Sequence, residues 1–181
     1  MKKINLAIIG AGFTSQTCHI PNYFNNHKVR IVALAEKKEK LRKLISKKYN
    51  IKYTFSNHNT LLDTQKNLDG VVVIVKRNQI YDVVKDCLKK KVSVFSEKPM
   101  CKTLSQAKRL LKISKNKKVI YKIGYNKIYD QGVIKGKKVF NKICKYTKFG
   151  KFLYFKFHRF SGTGYEKNIK FIDTKENYIE K

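Results

Sequence analysis

The sequence predicts an α/β protein built on a doubly wound parallel sheet, and three observations support this. Short apolar segments rich in β-branched residues recur along the first 123 positions, as in strands that are buried on both faces of a parallel sheet. Longer amphipathic segments separate them, and this alternation is typical of right-handed βαβ units. A glycine-rich turn directly follows the first apolar segment and opens a helix, as in nucleotide-binding sheets of this class.

Five segments are predicted strands because each is short, apolar and rich in β-branched residues: Ile4 to Ile9, Val29 to Ala35, Gly70 to Val75, Val92 to Phe95 and Val119 to Ile123. Three amphipathic segments are predicted helices, besides the one that the glycine turn opens: Lys37 to Tyr49, Ile80 to Lys90, and a segment that begins at Leu104 and ends at Asn116. Thr103 precedes the last of these as its expected N-cap.

The pattern changes near Gly124, where we place a domain boundary. Asp130 to Lys145 reads as a basic helix, and Lys151 to His158 as an aromatic strand. We therefore expect a complete domain over residues 1–123, and over residues 124–181 the partial start of a second, α+β domain.

The composition is strongly basic. The 181 residues include 42 Lys plus Arg against 12 Asp plus Glu, a formal charge of +30, yet 42% are hydrophobic. This apolar content argues against a disordered basic tail. The lysines are dispersed, and no nucleic-acid-binding motif accompanies them, which favours a compositional bias over a dedicated nucleic-acid surface. Any binding to DNA is expected to be weak, sequence-independent and salt-dependent.

The four cysteines are Cys18, Cys87, Cys101 and Cys144. They lie far apart and form no CxxC pair, so neither a metal site nor a disulfide framework is indicated. A reducing cytoplasm is the simplest setting. No apolar run approaches the roughly 20 residues that span a bilayer, so no membrane association is expected.

The strongest local motif is Gly10-Ala11-Gly12-Phe13-Thr14-Ser15. Gly10 permits the tight turn, and Gly12 lets the backbone approach a pyrophosphate at the helix N-terminus. Ser15 stands where the third glycine of this motif serves close packing of helix on strand. The motif therefore predicts a dinucleotide site, although alone it is also compatible with an accidental turn.

Glu36 ends the second predicted strand, 21 positions after Ser15. A carboxylate there accepts hydrogen bonds from ribose hydroxyls and repels a 2′-phosphate, which favours NAD. Lys37 and Lys38 follow directly and are placed to meet a phosphate, so NADP stays open as an alternative.

A second motif, Ser96-Glu97-Lys98-Pro99, stands at the carboxyl end of a predicted strand, where open α/β sheets bind ligands. Lys98 is expected to point into the cleft. Its charged form is disfavoured in a cationic, partly desolvated site, so it can move the proton of a substrate hydroxyl. Glu97 is expected to orient that ammonium group or to contact the cofactor.

Several segments together resemble the Gfo/Idh/MocA oxidoreductases, the family of glucose-fructose oxidoreductase and inositol dehydrogenase. They occur in order and at suitable spacing over residues 1 to about 160: Gly10 to Gly12, His19 to Pro21, Ala33 to Glu36, Asp69 to Ile74, Val94 to Met100 and Gly124 to Lys127. The Glu97-Lys98-Pro99 element is the most specific part of the resemblance.

The resemblance implies a Rossmann domain and a nicotinamide-dependent dehydrogenase that oxidises or reduces a sugar, cyclitol or nucleotide-sugar hydroxyl. Lys98 matches the family's active-site lysine, and Asn126 and Lys127 match the segment beside the substrate. Positions that match cofactor contacts are Gly10, Gly12, Phe13, Thr14, Glu36, Asn78 and Glu97. A homo-oligomer is expected for the full-length form.

The chain departs from the family pattern in three places. Lys76 and Arg77 stand where the family usually has Thr-Pro, and Tyr81 stands where it has a histidine. The family's second domain, with an Asp and a His that complete its catalytic site, is represented by its start alone. We therefore expect an enzyme that is incomplete as this chain, with a non-catalytic dinucleotide-binding module or decayed gene product as the alternative, and a basic nucleic-acid-binding protein less favoured.

Overall fold

The computed structural model describes residues 2–145, 150, 151, 153, 154, 156, 158 and 170–176. Backbone proximity divides the chain into two units, one of Met1–Gly124 with Lys170–Lys181 and the other of Tyr125–Ile169. The sequence assigns residues 124–181 to one partial domain, whereas the structure groups their last part with the first unit. The reason is a set of hydrogen bonds between Ile172 and Gln16, residues that no local pattern connects.

The first unit holds a six-stranded sheet in the order β3-β2-β1-β4-β5-β6. Every neighbouring pair of strands is parallel. The strands are β1 (Ile4–Ile9), β2 (Val29–Ala35), β3 (Tyr53–Phe55), β4 (Gly70–Val73), β5 (Val94–Ser96) and β6 (Tyr121–Ile123). This order confirms the predicted doubly wound Rossmann sheet, whose strand order reverses between β1 and β4.

Helices cover both faces of the sheet. They are α1 (Ile20–Phe24), α2 (Glu39–Lys48), α3 (His58–Thr64), α4 (Ile80–Lys89) and α5 (Leu104–Lys117), and a π-helical segment, Ser15–His19, leads into α1. Consecutive residues of a strand point to opposite faces, so the core has two parts. Ile8 packs with residues of α1 and α2, whereas Ala7 and Ile9 pack with residues of α3, α4 and α5.

The sequence analysis missed β3 and α3. Tyr53 and Thr54 are exposed and only Phe55 is partly buried, because β3 is an edge strand, so no apolar run marks it. In α3 only Leu61 and Leu62 are buried. The usable signal was Asn57, whose side chain accepts the N–H of Thr60 at 2.9 Å and caps the helix.

The helix ends agree closely with the predicted ones. Thr103 caps α5 by accepting the N–H of Gln106 at 3.2 Å, as predicted. The helix ends at Lys117, one residue beyond the predicted end at Asn116, and Lys118 follows with the left-handed φ of 54° that often follows a helix.

The second unit contains a 3-10 helix, Asn126–Tyr129, and α6 (Gln131–Cys144). Asp130 caps α6 by accepting the N–H of Gly132 at 3.0 Å, in agreement with the predicted basic helix. The predicted strand Lys151 to His158 lies partly outside the described residues, and those described within it are not in a strand. In the described part of the chain, no helix has the length and apolar character of a membrane span.

Candidate functional site

A cleft of about 1000 Å³ lies at the carboxyl edge of the sheet. It opens where the ends of β1, β2 and β4 meet, because the connections leave β1 and β4 towards opposite faces. Five of the seven predicted cofactor contacts line this cleft: Gly10, Gly12, Phe13, Glu36 and Asn78. The sheet therefore brings together residues that lie up to 68 positions apart in the chain.

Gly10 is held between two strands. Its φ is +96°, and a Cβ at this position would lie 2.1 Å from the carbonyl oxygen of Ile74. Its N–H donates to the carbonyl of Ala35 at 2.8 Å. Only glycine meets both the backbone conformation and the close approach, so Gly10 shapes the turn.

Gly12 differs from Gly10 because the space around it is open. A Cβ at Gly12 would meet no heavy atom within 4 Å, and the residue lines the cleft. The helix begins at the next residue, Phe13. A helix N-terminus attracts anions, so the open space beside Gly12 fits a phosphate group.

Ser15 occupies the third position of the glycine motif. It is fully buried, and its hydroxyl oxygen has no hydrogen-bond partner among the described residues. It begins the π-helical segment, whose wider turn is often found at functional sites. The Ser15 side chain thus occupies buried space at this position, where a glycine would let the helix pack closer to the sheet.

The Glu36 carboxylate joins the glycine turn to the loop after β2. One oxygen, Oε2, accepts the N–H of Ala11 at 2.7 Å, and the other, Oε1, accepts the N–H of Lys38 at 3.0 Å. Each carboxylate oxygen has two lone pairs. Glu36 therefore keeps the capacity to accept hydrogen bonds from ribose hydroxyls while two backbone groups hold it in place.

Glu97 and Lys98 follow β5, one strand beyond the cleft. Glu97 donates its N–H to Val73 at 2.9 Å, which ties this strand end to β4. Its Oε2 accepts the N–H of Lys98 at 3.0 Å, and the Lys98–Pro99 peptide is cis. The side chain of Lys98 is exposed and does not line the cleft, whereas the sequence placed it inside, in a partly desolvated site.

Sequence reasoning assigned no role to His19. Its Nε2 lies 2.8 Å from Oε1 of Glu97, with 13% and 21% of the two side chains exposed. The His19 ring lies near those of Tyr23 and Phe95. Burial and the charge of Glu97 raise the pKa of the Tyr23 hydroxyl. The signal available in the sequence was the position of His19 within the family-like segment His19 to Pro21.

Of the remaining predicted residues, Asn78 lines the cleft and the others lie outside it. Thr14 lies in the first helical turn and does not line the cleft. Asn78 is exposed in the turn between β4 and α4. Asn126 and Lys127 are exposed in the 3-10 helix of the second unit.

His58 is a further residue of the cleft that the sequence did not indicate. It opens α3, lines the cleft, and its Nε2 lies 3.1 Å from Oδ2 of Asp86. It was missed because α3 itself was missed. Within the described ranges, no group of three or more metal-ligating side chains is clustered as a metal site would require.

Residues 170–176 form a wall of the cleft that sequence reasoning also missed. Gln16 holds this segment with two hydrogen bonds: its Nε2 donates to the carbonyl of Ile172 at 3.0 Å, and its Oε1 accepts the N–H of Ile172 at 2.8 Å. The ring of Phe171 packs edge-on against Phe13, with 4.9 Å between centroids. Ile172, Asp173 and Glu176 also line the cleft.

Comparison with known proteins agrees with this geometry. A model of an oxidoreductase family with an NAD-binding Rossmann fold matches residues 4–125. Myo-inositol 2-dehydrogenase of Thermotoga maritima is 25% identical over 128 residues, which are 71% of this chain and 38% of that protein. The chain thus spans about two fifths of the length of this relative.

Two solved structures share the fold. Myo-inositol 2-dehydrogenase from Lactobacillus plantarum has a TM-score of 0.71 at 21% identity, over 83% of this chain and 43% of that one. A 3-ketoreductase from Actinomadura kijaniata, solved with TDP-benzene and NADP, has a TM-score of 0.69 at 15% identity, over 80% of this chain and 44% of that one.

Proposed function

Because the chain belongs to the Gfo/Idh/MocA family of oxidoreductases, we propose that its first unit binds a nicotinamide dinucleotide in the cleft at the carboxyl edge of the sheet. The observation that carries the proposal is the open space at Gly12 beside a helix N-terminus, with the Glu36 carboxylate across the turn. The pyrophosphate would lie at Gly12 and the first helical turn, and the adenosine ribose at Glu36.

NAD is the favoured cofactor. The Glu36 carboxylate disfavours a 2′-phosphate by charge repulsion and accepts ribose hydroxyl protons instead. Lys37 and Lys38 also line the cleft and are the groups that would favour NADP.

The proposed reaction is oxidation of a sugar or cyclitol hydroxyl, or the reverse reduction. It is supported by the family and by a relative named myo-inositol 2-dehydrogenase. The nicotinamide, when bound, supplies the hydride chemistry. Lys98 would hydrogen-bond the substrate hydroxyl and help to move its proton, and Glu97 would position Lys98 by accepting its backbone N–H. Asn126 and Lys127 are proposed substrate contacts, and homo-oligomer formation stays a prediction.

A non-catalytic dinucleotide-binding module is the second candidate. The exposure of Lys98 outside the cleft favours it, because proton transfer requires a residue held within hydrogen-bond reach of substrate. NADH formation from inositol or a sugar, lost in Lys98→Ala, would exclude this candidate. Dinucleotide binding without turnover would support it.

Calorimetric titration of the 181-residue chain with NAD⁺ tests the binding proposal. Gly12→Val should abolish binding, since its side chain would fill the space proposed for the pyrophosphate. The matched control is Gly136→Val on α6, where an added Cβ also meets no atom within 4 Å; it should bind as the unmodified chain does. Equal affinities in all three proteins would refute the assignment.

A further inference from the structure

Residues 170–176, here named the strap, carry two carboxylates beside the loop between β2 and α2. The strap is held on the first unit by Gln16 and Phe13, as described above. Its carboxylates belong to Asp173 and Glu176, and both line the cleft. This loop also contains Glu36, so the strap lies at the end of the cleft where we place the adenosine ribose.

Glu176 binds the N-terminus of α2. Its Oε1 accepts the N–H of Lys40 at 3.0 Å, and its Oε2 accepts the N–H of Leu41 at 3.2 Å. Thr174 donates its hydroxyl proton to Oε2 at 2.6 Å. These hydrogen bonds, with that from Thr174 first, hold the pKa of the Glu176 carboxyl below its usual value. An anion of the chain itself therefore takes the donors that an incoming phosphate would use.

Asp173 pairs with Lys38 of the loop between β2 and α2. Its Oδ1 is 4.0 Å from Nζ of Lys38, a side chain of which only 25% is exposed, and it also accepts the N–H of Lys175 at 3.0 Å. Lys38 is one of the two lysines that the sequence offers to a 2′-phosphate. The strap thus partly neutralises the charge that would attract such a group.

We propose that the strap is a specificity-determining element: through Asp173 and Glu176 it excludes a 2′-phosphate and makes the cleft select NAD over NADP. This inference rests on the proposed dinucleotide binding. It is separate from the role of Glu36, which contacts ribose hydroxyls, because the strap acts on the cation and the helix N–H groups that a 2′-phosphate needs. NAD has no such phosphate and leaves the strap's contacts intact.

The test compares the affinities of the 181-residue chain for NAD⁺ and NADP⁺ in Asp173→Asn, Glu176→Gln and the double variant. These amides keep the shape of the side chains and remove one negative charge each. The matched control is Asp63→Asn, an exposed carboxylate of α3 paired with Lys90, which does not line the cleft. It makes the same change in net charge as each single variant, but away from the strap.

The unmodified chain should prefer NAD. The double variant should shift the ratio of affinities towards NADP by roughly tenfold, as expected for two charges removed near a phosphate, and each single variant by less. The control should leave the ratio unchanged. A loss of folded protein lowers both affinities equally, so the ratio remains informative if a variant is less stable.

The outcomes separate the two proposals. NAD binding with an unaltered ratio in the double variant overturns the role of the strap and leaves the proposed function standing. A preference of the unmodified chain for NADP overturns the role of the strap and the choice of NAD, and leaves the proposed dinucleotide binding standing. Binding of neither dinucleotide by the unmodified chain overturns both.

Discussion

The imidazole Nε2 of His19 lies 2.8 Å from the carboxylate Oε1 of Glu97, across 78 positions of sequence. The other oxygen of that carboxylate accepts the N–H of Lys98. The helix that follows the glycine turn is therefore joined through one carboxylate to the backbone of the proposed catalytic lysine. This arrangement links the geometry of two family-like segments, His19 to Pro21 and Glu97-Lys98-Pro99.

A double-mutant cycle measures this link. His19→Ala and Glu97→Ala should each lower the free energy of unfolding by about 1–2 kcal/mol, because each leaves a half-buried polar partner unsatisfied. The double variant should show a coupling of about 1 kcal/mol in urea denaturation.

The exposed pair Lys43 and Glu39, at 74% and 62% exposure, is the control for this cycle. Its coupling should not exceed about 0.5 kcal/mol. If the effects of the His19 and Glu97 substitutions on the free energy of unfolding are additive, the contact between the two side chains contributes nothing to stability.

The two glycines of the turn should respond differently to alanine. Gly10→Ala should cost at least about 2 kcal/mol of unfolding free energy, since the new Cβ would meet the Ile74 carbonyl at a strained φ. Gly12→Ala should change stability by no more than about 0.5 kcal/mol, because the space around it is open. Urea denaturation of both variants checks this contrast. Equal costs would contradict the geometry of the turn.

Cys87 should be protected from thiol reagents in the folded protein. It is fully buried, and this burial, with a smaller effect of Asp86, raises the pKa of its thiol far above the usual value. Since the thiolate is the reacting form, alkylation of Cys87 at pH 8 should follow global unfolding. The exposed Cys18 and Cys144 should react in the native state. Mass spectrometry of alkylated peptides across a urea series tests this, and rapid labelling of native Cys87 would refute it.

Acid should release the strap. The carboxyl of Glu176 has a lowered pKa in the folded chain, so its stabilising effect is complete above its usual value of 4.5 and is lost as the pH falls through the lower folded value. The charge of Lys38 lowers this pKa as well. The protection of the Ile172 amide against hydrogen exchange should fall in this acid range before that of amides in β4, because this amide donates to Gln16.

Glu176→Gln is the comparison for this experiment. It should remove the acid dependence of the Ile172 amide, because the amide side chain does not titrate. An unchanged acid response in this variant would assign the effect to another group.

Prediction from sequence succeeded where burial leaves a local pattern. The strands β1, β2 and β4 are buried on both faces and read as apolar runs, and Thr103 marks the start of α5 by its side-chain chemistry. The edge strand β3 carries no such run because Tyr53 and Thr54 face solvent, and α3 was missed with it. The sequence analysis therefore did not predict that His58 lines the cleft.

By itself, the sequence determined the parallel α/β architecture, the glycine turn and the acidic residue at the end of β2. These depend on periodicity, backbone freedom and spacing, which are properties of short segments. Only the tertiary structure decided that His19 meets Glu97, that Lys98 lies beside the cleft, and that Gln16 holds Ile172 from 156 positions away. A sequence pattern records that a side chain is polar or buried, whereas its partner is set by how distant elements pack together.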